Sequence, residues 1–291
     1  LRSGTDRLVH HGRHFGRTIR AFVNFHTLIG EGVLREEQLA ARGATVDDLE
    51  ETARREHDLF RQLIKMSPFL SDRLFRIGRT EHDVRHAADM LTKGASSARS
   101  DDVKSLKSAV IDWITPPGGV LTPNIPRHSK DGRGFYHEVT GKYLCPTDYD
   151  WSDPRVKAQL KEAKLVVTGL QWPMLLYAGL KCNQENMWEG LLRNRILVQA
   201  YKHIFTSPSS VHGESRATRS GNAELHGMDT VTVPSIAYIA TLVRFSLSSV
   251  TTFCRTDAVT DHQRFYNTIV DFLEMEEEQV QVGELLDWWN R

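Results

Sequence analysis

Apolar residues recur at intervals of three or four along most of this chain, which is the spacing of one helix face. Short polar or small-residue stretches separate these runs. The pattern therefore predicts a mainly α fold, a multi-helix globular domain. The clearest apolar stripes consist of Phe15, Ile19, Phe22 and Val23, of Val103, Leu106, Val110 and Trp113, and of Ile236, Ile239, Val243 and Leu247.

Capping residues and prolines predict where several helices begin and end. Start signals stand at Asp153 before Pro154, at Thr232 before Pro234, and at Asp261. A turn of small residues from Gly94 to Ser100 predicts a break between two helices, with Ser100 capping the second. The longest helix of the second half is predicted over residues 187–205.

The middle of the chain differs from the rest because six of its ten prolines lie between Pro116 and Pro154. Within it, residues 135–139 and 142–144 are rich in β-formers and flank Thr140-Gly141, which predicts one small β-hairpin. The chain thus divides into three parts that are expected to pack into one unit. They are an N-terminal helical part (1–115), a Pro-rich segment with the hairpin (116–150) and a C-terminal helical part (151–291).

A long polar stretch interrupts the second helical half between Lys202 and Met228, and residues 206–228 of it are predicted to form a loop. It contains five Ser, two Thr, two Arg and three His. Loops of this length are usually functional or disordered. Hydroxyls, exposed backbone N–H groups and arginines suit an anion such as phosphate, although a solvated surface loop has the same composition.

Charge is balanced overall but unevenly placed. Lys+Arg and Asp+Glu both number 37, which argues against a strongly basic nucleic-acid coat. Residues 271–291 contain seven acids and one base, so 36 bases and 30 acids precede them, a net charge of +6. A mildly basic body beside an acidic tail is compatible with a nucleic-acid partner, a protein partner or solvated helix faces.

The three cysteines are widely spaced and form no CxxC or Cys/His pattern. They predict neither a disulfide framework nor a zinc ribbon, and they favour a reducing compartment. No apolar run reaches the ~18 residues of a membrane span, and no signal-peptide core is present. We expect an intracellular protein, nuclear or cytoplasmic, without a membrane partner.

Catalytic motifs are weak throughout. His82 and His86 have the i, i+4 spacing of a metal pair, but Asp83 stands where a zinc protease needs Glu, so no metal site is predicted. No GxSxG elbow, Walker-type loop or GxGxxG turn appears, and no cofactor is expected. His203 and the serines of the loop lack an identifiable orienting acid, so a nucleophilic triad is only an alternative.

The candidate phosphate- or nucleic-acid-binding residues share a hydroxyl or a positive charge. Most belong to the polar stretch. The others come from the run around residue 100 and from the predicted hairpin. They are Lys202, Thr206, Ser207, Ser209, Ser210, Arg216, Thr218, Arg219, Ser220, Arg99, Lys104 and Arg133.

Six sequence runs together resemble a basidiomycete (mushroom) fungal family, a domain of unknown function. They are KGASSARSDDVKSLK, DGRGFYHEVTGKYLCP, YDWSDP, HIFTSPSS, PSIAYIA and LLDWWNR. The resemblance extends from about Gly16 to Arg291. It implies an intracellular fungal origin, a setting near mobile elements or chromatin, and one unit of fold; it supplies no catalytic residue.

Three functional hypotheses remain from the sequence. The leading one is a non-enzymatic module that binds nucleic acid or chromatin through phosphate contacts at the polar loop. The second is an enzyme acting on a nucleotide or phosphorylated ligand at the same loop. The third is a protein-interaction scaffold that uses the acidic C-terminal helices and Trp288-Trp289.

Overall fold

The computed structural model describes residues 6–212, 221–225, 227–256 and 261–291. The chain forms two compact units, Leu1–Ser100 and Asp101–Arg291. The described residues are mainly helical and form no β-sheet, and two isolated bridges join Pro146 to Pro173 and Tyr177 to Leu191. The prediction of a mainly α fold is confirmed. None of the described helices has both the length and the apolar character that a membrane crossing needs.

In the first unit, the described residues 6–100 form five helices around one apolar core. They are α1 (Arg7–Thr18), α2 (Phe25–Arg42), α3 (Glu51–Met66), α4 (Pro68–Phe75) and the first part of α5 (Glu81–Ile114). Phe15, Phe25 and Phe60 are buried in that core. Helices α1 and α5 approach closely at two glycines, since a Cβ on Gly12 or Gly94 would collide with backbone of the other helix.

The second unit surrounds a buried central helix, α10 (Val233–Leu247). The other described helices of this unit are the end of α5, α6 (Glu138–Leu144), α7 (Pro154–Lys161), α8 (Arg195–Tyr201), α9 (Asn222–Leu225), α11 (His262–Leu273) and α12 (Gln279–Trp289). Every residue of α10 from Ser235 to Leu247 is buried, including the polar residues Thr241 and Arg244. It packs against α6, α8 and α11.

Short helical turns connect these elements. The 3₁₀ segments are Val46–Asp48, Gly134–Tyr136, Met174–Leu176, Ala178–Leu180, Pro208–His212 and Glu276–Glu278, and a π-helix, Lys202–Thr206, continues α8. The predicted start signals are confirmed. Asp153 accepts from Arg155 N, Asp261 accepts from Arg264 N, and Thr232 forms a reciprocal capping box with Ser235.

The predicted helix break between Gly94 and Ser100 is wrong, because α5 runs without interruption from Glu81 to Ile114. Gly94 serves close packing against Val9 rather than a turn. The predicted helix over residues 187–205 is also wrong for its first part, since α8 begins only at Arg195. The Asn194 side chain caps it there and donates 2.7 Å to the Tyr177 carbonyl.

The predicted β-hairpin is wrong as well. Residues 134–136 form a 3₁₀ turn and residues 138–144 form α6. The His137 ring caps this helix by accepting from Val139 N at 3.1 Å. Gly141 lies inside the helix against Trp151, where a Cβ would collide with the indole. Local β-propensity is therefore overridden by packing around that indole.

Candidate functional site

A serine and a histidine from distant parts of the chain meet in the second unit. The Ser105 hydroxyl on α5 shares a hydrogen bond of 2.5 Å with Nε2 of His203 in the π-helix. Both side chains are half-buried. A hydroxyl held by a histidine is the arrangement that nucleophilic and proton-transfer chemistry require.

An acid lies near this pair. Asp102, one helical turn before Ser105, is buried and accepts a 2.7 Å hydrogen bond from the Tyr238 hydroxyl on α10. Burial lowers the pKa of His203 below its ordinary 6.5, and the negative charge of Asp102 partly opposes that shift. The imidazole is therefore mostly neutral at pH 7 and able to accept a proton. The Trp113 ring packs edge-on against it, with the ring centroids 5.5 Å apart.

Residues Gly221 and Asn222, from the later part of the polar stretch, pack against the π-helix that carries His203. The Asn222 side chain donates to the Ile204 carbonyl. Gly221 lies so close to the Phe205 and Thr206 carbonyls that no Cβ would fit. Single π-turns often occur at functional sites because they re-aim side chains from an otherwise regular helix.

The first part of the polar stretch is ordered by its own hydroxyls. The Thr206 hydroxyl donates 2.5 Å to the Lys202 carbonyl. The Ser207 hydroxyl lies 2.9 Å from that of Ser209 and 2.7 Å from that of Ser210. Lys202, Thr206 and Ser209 are exposed. The other candidates of the loop, Arg216, Thr218, Arg219 and Ser220, lie outside the described residues.

The three candidates outside the polar stretch occupy different surroundings. Lys104 is exposed on α5, next to Ser105. Arg99 belongs to the first unit, where its guanidinium lies 5.3 Å from the Phe22 ring and donates to the Ala21 carbonyl. Arg133 is fully buried and donates to the carbonyls of Ser246, Pro126 and Arg127. Its guanidinium therefore holds protein backbone, including the end of α10.

A second buried amine lies beside Arg133. Lys130 is 4% exposed, and its amine donates to the Phe245 carbonyl and lies 3.4 Å from the Ser248 hydroxyl. Burial, with smaller contributions from Arg133 and Lys107, lowers its pKa to about 6. Lys130 is thus mainly neutral at pH 7, whereas Arg133, with a pKa lowered by burial to about 10, stays charged.

The remaining sequence candidates form no metal site among the described residues. His82 and His86 stack with their ring centroids 6.1 Å apart. No group of three or more His, Cys, Asp or Glu side chains in the described part of the chain is placed to hold an ion.

The C-terminal tryptophans pack within the second unit. The Trp289 ring lies 5.2 Å from that of Tyr201, and the Arg193 guanidinium lies 5.9 Å from the Trp288 ring. Both indoles remain half-exposed. Their use as a protein-interaction surface stays a prediction.

Sequence reasoning named His203 but missed Ser105, Asp102 and Tyr238. Asp102 and Ser105 are spaced i, i+3, which places them on one helix face, and this was the available signal. Nothing in the sequence pairs that face with a residue 98 positions away, and only packing of the unit brings the two together.

Comparison with known proteins adds a family. No curated protein and no solved structure matches this chain. The match to a family begins at residue 93, not at Gly16 where the sequence resemblance begins, and it covers the whole of the second unit. The model of DUF6698, a family of unknown function, matches residues 93–291, and the chain belongs to that family.

Proposed function

We propose that the second unit binds phosphate groups of a nucleic acid or a phosphorylated ligand at the surface around Ser105 and His203. The contact between these two residues carries the proposal, since it brings the exposed Lys104 and Lys202 into one region. Each lysine is one residue, about 3.8 Å between Cα atoms, from a member of the pair. An intracellular location and a setting near mobile elements or chromatin accompany this proposal.

Charge and hydroxyl chemistry both favour an anion there. Ammonium groups on flexible stems act as point charges toward phosphate oxygens. The Ser207 hydroxyl, four residues after His203, adds hydrogen-bonding capacity, whereas the Thr206 hydroxyl already donates to the Lys202 carbonyl. Asp101, which is also exposed, opposes the two lysines, so the site is moderately rather than strongly basic. Binding that weakens steeply with salt is the expected signature.

The test measures the affinity of labelled single- and double-stranded oligonucleotides by fluorescence anisotropy between 25 and 200 mM salt. In a double variant, Lys104→Gln with Lys202→Gln, we expect weaker binding and a log–log salt slope reduced by about 2 for the duplex. The matched control is Lys161→Gln with Lys164→Gln, which removes the same charge from exposed positions of the same unit. Absence of binding at 25 mM salt, or equal weakening by both double variants, would refute the proposal.

The second candidate function is phosphoester hydrolysis, and the 2.5 Å contact between Ser105 and His203 favours it. His203 would accept the hydroxyl proton while Ser105 Oγ bonds to phosphorus. The leaving oxygen would depart with the bonding electron pair. Attack by water on the phosphoserine would then release phosphate and restore the hydroxyl.

Release of 4-nitrophenolate from 4-nitrophenyl phosphate and bis(4-nitrophenyl) phosphate tests this activity. Ser105→Ala and His203→Gln should each lower turnover by about 100-fold or more. Ser108→Ala, one turn further along α5, should retain it. No turnover by the unchanged protein, or equal turnover in Ser105→Ala, would remove this candidate and leave the binding proposal standing.

A further inference from the structure

The second unit contains a cavity of about 430 Å³ that takes no part in the Ser105–His203 surface. Its walls come from residues 134–136, from the end of α7 with the chain that follows it, and from the end of α10. A volume of this size is within the usual range for small-molecule sites.

Part of the cavity lining is apolar. Leu144, Leu160, Leu165 and Val167 line it, together with Phe135. Leu144 and Leu160 are buried, and the other three are half-buried. Burial of a ligand's apolar body against these side chains is favourable at roughly 25 cal/mol per Å² removed from water.

The cavity also has a polar and positive wall. Arg244, Ser248 and Ser249, from the end of α10 and the turn after it, contribute to it, as do Lys161 at the end of α7 and His262 at the start of α11. Arg244 is 6% exposed, with its guanidinium 4.7 Å from the Phe265 ring and one nitrogen donating 3.3 Å to the Thr168 carbonyl. These contacts fix the position of the cation, and a guanidinium has five donors.

A second cation lies behind this polar wall. Arg133 is buried and donates 2.8 Å to the carbonyl of Ser246, two residues before Ser248. Solvent screens a buried charge weakly, so the positive potential of Arg133 extends toward the cavity. Gly134, with φ +70°, packs against Ser249 and leaves the cavity open there, since a Cβ would lie 3.2 Å from the Ser249 nitrogen.

We propose that this cavity binds a small amphipathic anion, a molecule with one apolar body and one carboxylate or similar oxyanion. The apolar body would lie against Leu160 and Leu165. The anionic group would face the Arg244 guanidinium and the Ser249 hydroxyl, because the Ser248 hydroxyl already donates 2.8 Å to the Phe245 carbonyl. A neutral ligand of the same shape would gain the apolar contact but not the charge-assisted hydrogen bonds, which are about twice as strong as neutral ones.

The test compares two dyes of the same shape. 8-Anilinonaphthalene-1-sulfonate has an apolar body with a sulfonate, and N-phenyl-1-naphthylamine is the same body without charge. Fluorescence titration should give one anionic dye per chain, with an affinity about tenfold or more above that of the neutral dye. Equal affinities for the two dyes, or many weak sites per chain, would overturn the proposal.

Two variants test whether the dye binds in this cavity. Val166 lines the cavity and is 52% exposed, so Val166→Trp should fill the space and lower the affinity for both dyes at least about tenfold. Val280→Trp is its control, because Val280 is an exposed residue of α12 (73%) outside the cavity. Ser249→Asp adds a negative charge to the polar wall and should weaken the anionic dye alone. Its control is Asn186→Asp, which adds the same charge at an exposed residue outside the cavity lining. If either variant binds both dyes like its control, the cavity is not the site.

Discussion

Ser105 on α5 and His203 in the π-helix share a 2.5 Å hydrogen bond although 98 positions separate them. The buried Asp102 lies one helical turn before the serine and influences the charge of the imidazole. A hydroxyl, a neutral imidazole and a carboxylate therefore lie close together in one partly buried site. The arrangement fits both proposals for this surface, and the state of the imidazole decides how it can be used.

The first prediction concerns the pKa of His203. Burial should hold it below 6.5 and the charge of Asp102 should raise it, so Asp102→Asn should lower it further. Asparagine keeps an oxygen that can accept from Tyr238. NMR titration of the imidazole Cε1–H measures the shift. Because the folded-state pKa is depressed, the contribution of neutral His203 to stability is complete above pH 6.5 and is lost as the pH falls below it.

Asp101→Asn is the matched control, since Asp101 is an exposed neighbour on the same helix. It should change the pKa of His203 less than Asp102→Asn does. A His203 pKa at or above 6.5 in the unchanged protein, or one that rises on removal of the Asp102 charge, would contradict the electrostatic account of this site.

The candidate site was partly predictable from sequence. Composition pointed to the polar stretch, and Lys202 and Thr206 are exposed there as a surface role requires. Arg133 is buried and donates to the Ser246 carbonyl. Charge alone does not distinguish a surface cation from one that caps a helix in the interior. The partnership of Ser105 with His203 depends on tertiary packing, which local patterns do not encode.

The second prediction tests the close packing of α6. Gly141→Ala should destabilise the second unit by about 1–3 kcal/mol, because the added Cβ would collide with the Trp151 ring. At helix positions with free space, a glycine-to-alanine substitution usually stabilises the protein. Gly283→Ala in α12, where nothing lies within 4 Å of an added Cβ, should therefore stabilise by about 0.5–1 kcal/mol.

Denaturant unfolding followed by tryptophan fluorescence measures both variants. All six tryptophans lie between Trp113 and Trp289, so the signal reports only the second unit. Equal stabilities for Gly141→Ala and the unchanged protein would mean that the helix and the indole are not in contact.

Helix starts were the most predictable part of the fold. Asp153 and Thr232 cap helices as expected because side-chain capping is a local interaction. The predicted hairpin around Gly141 and the predicted helix break at Gly94 are both wrong for the same reason. Each glycine allows close approach of another segment, Trp151 or Val9, whereas sequence patterns associate glycine with turns.

The third prediction concerns the buried guanidinium of Arg133. Arg133→Gln should destabilise the second unit by about 2–4 kcal/mol, because the carbonyls of Ser246, Pro126 and Arg127 lose their donor. Arg127→Gln is the control, since Arg127 is exposed and pairs with the exposed Asp112; it should cost less than about 1 kcal/mol. Tryptophan-monitored unfolding compares the two, and similar losses would exclude a capping role for Arg133.

The last prediction uses the amine of Lys130, whose pKa burial lowers to about 6 from an ordinary 10.5. Between these values the unfolded chain binds a proton that the folded chain has released. The unfolding free energy should therefore rise with pH across this window, by at most about 1.4 kcal/mol per pH unit from this group. Lys130→Met removes the ionisable group and should flatten the rise.

Tryptophan-monitored unfolding at pH 6.5, 7.5 and 8.5 gives the slope for each protein. Lys161→Met, at an exposed lysine of the same unit, should keep the slope of the unchanged protein. Arg133, whose pKa is about 10, stays protonated across this range, so it does not produce the rise itself. If Lys130→Met keeps the full slope, the amine is charged in the folded protein and its contact with the Phe245 carbonyl is that of an ammonium.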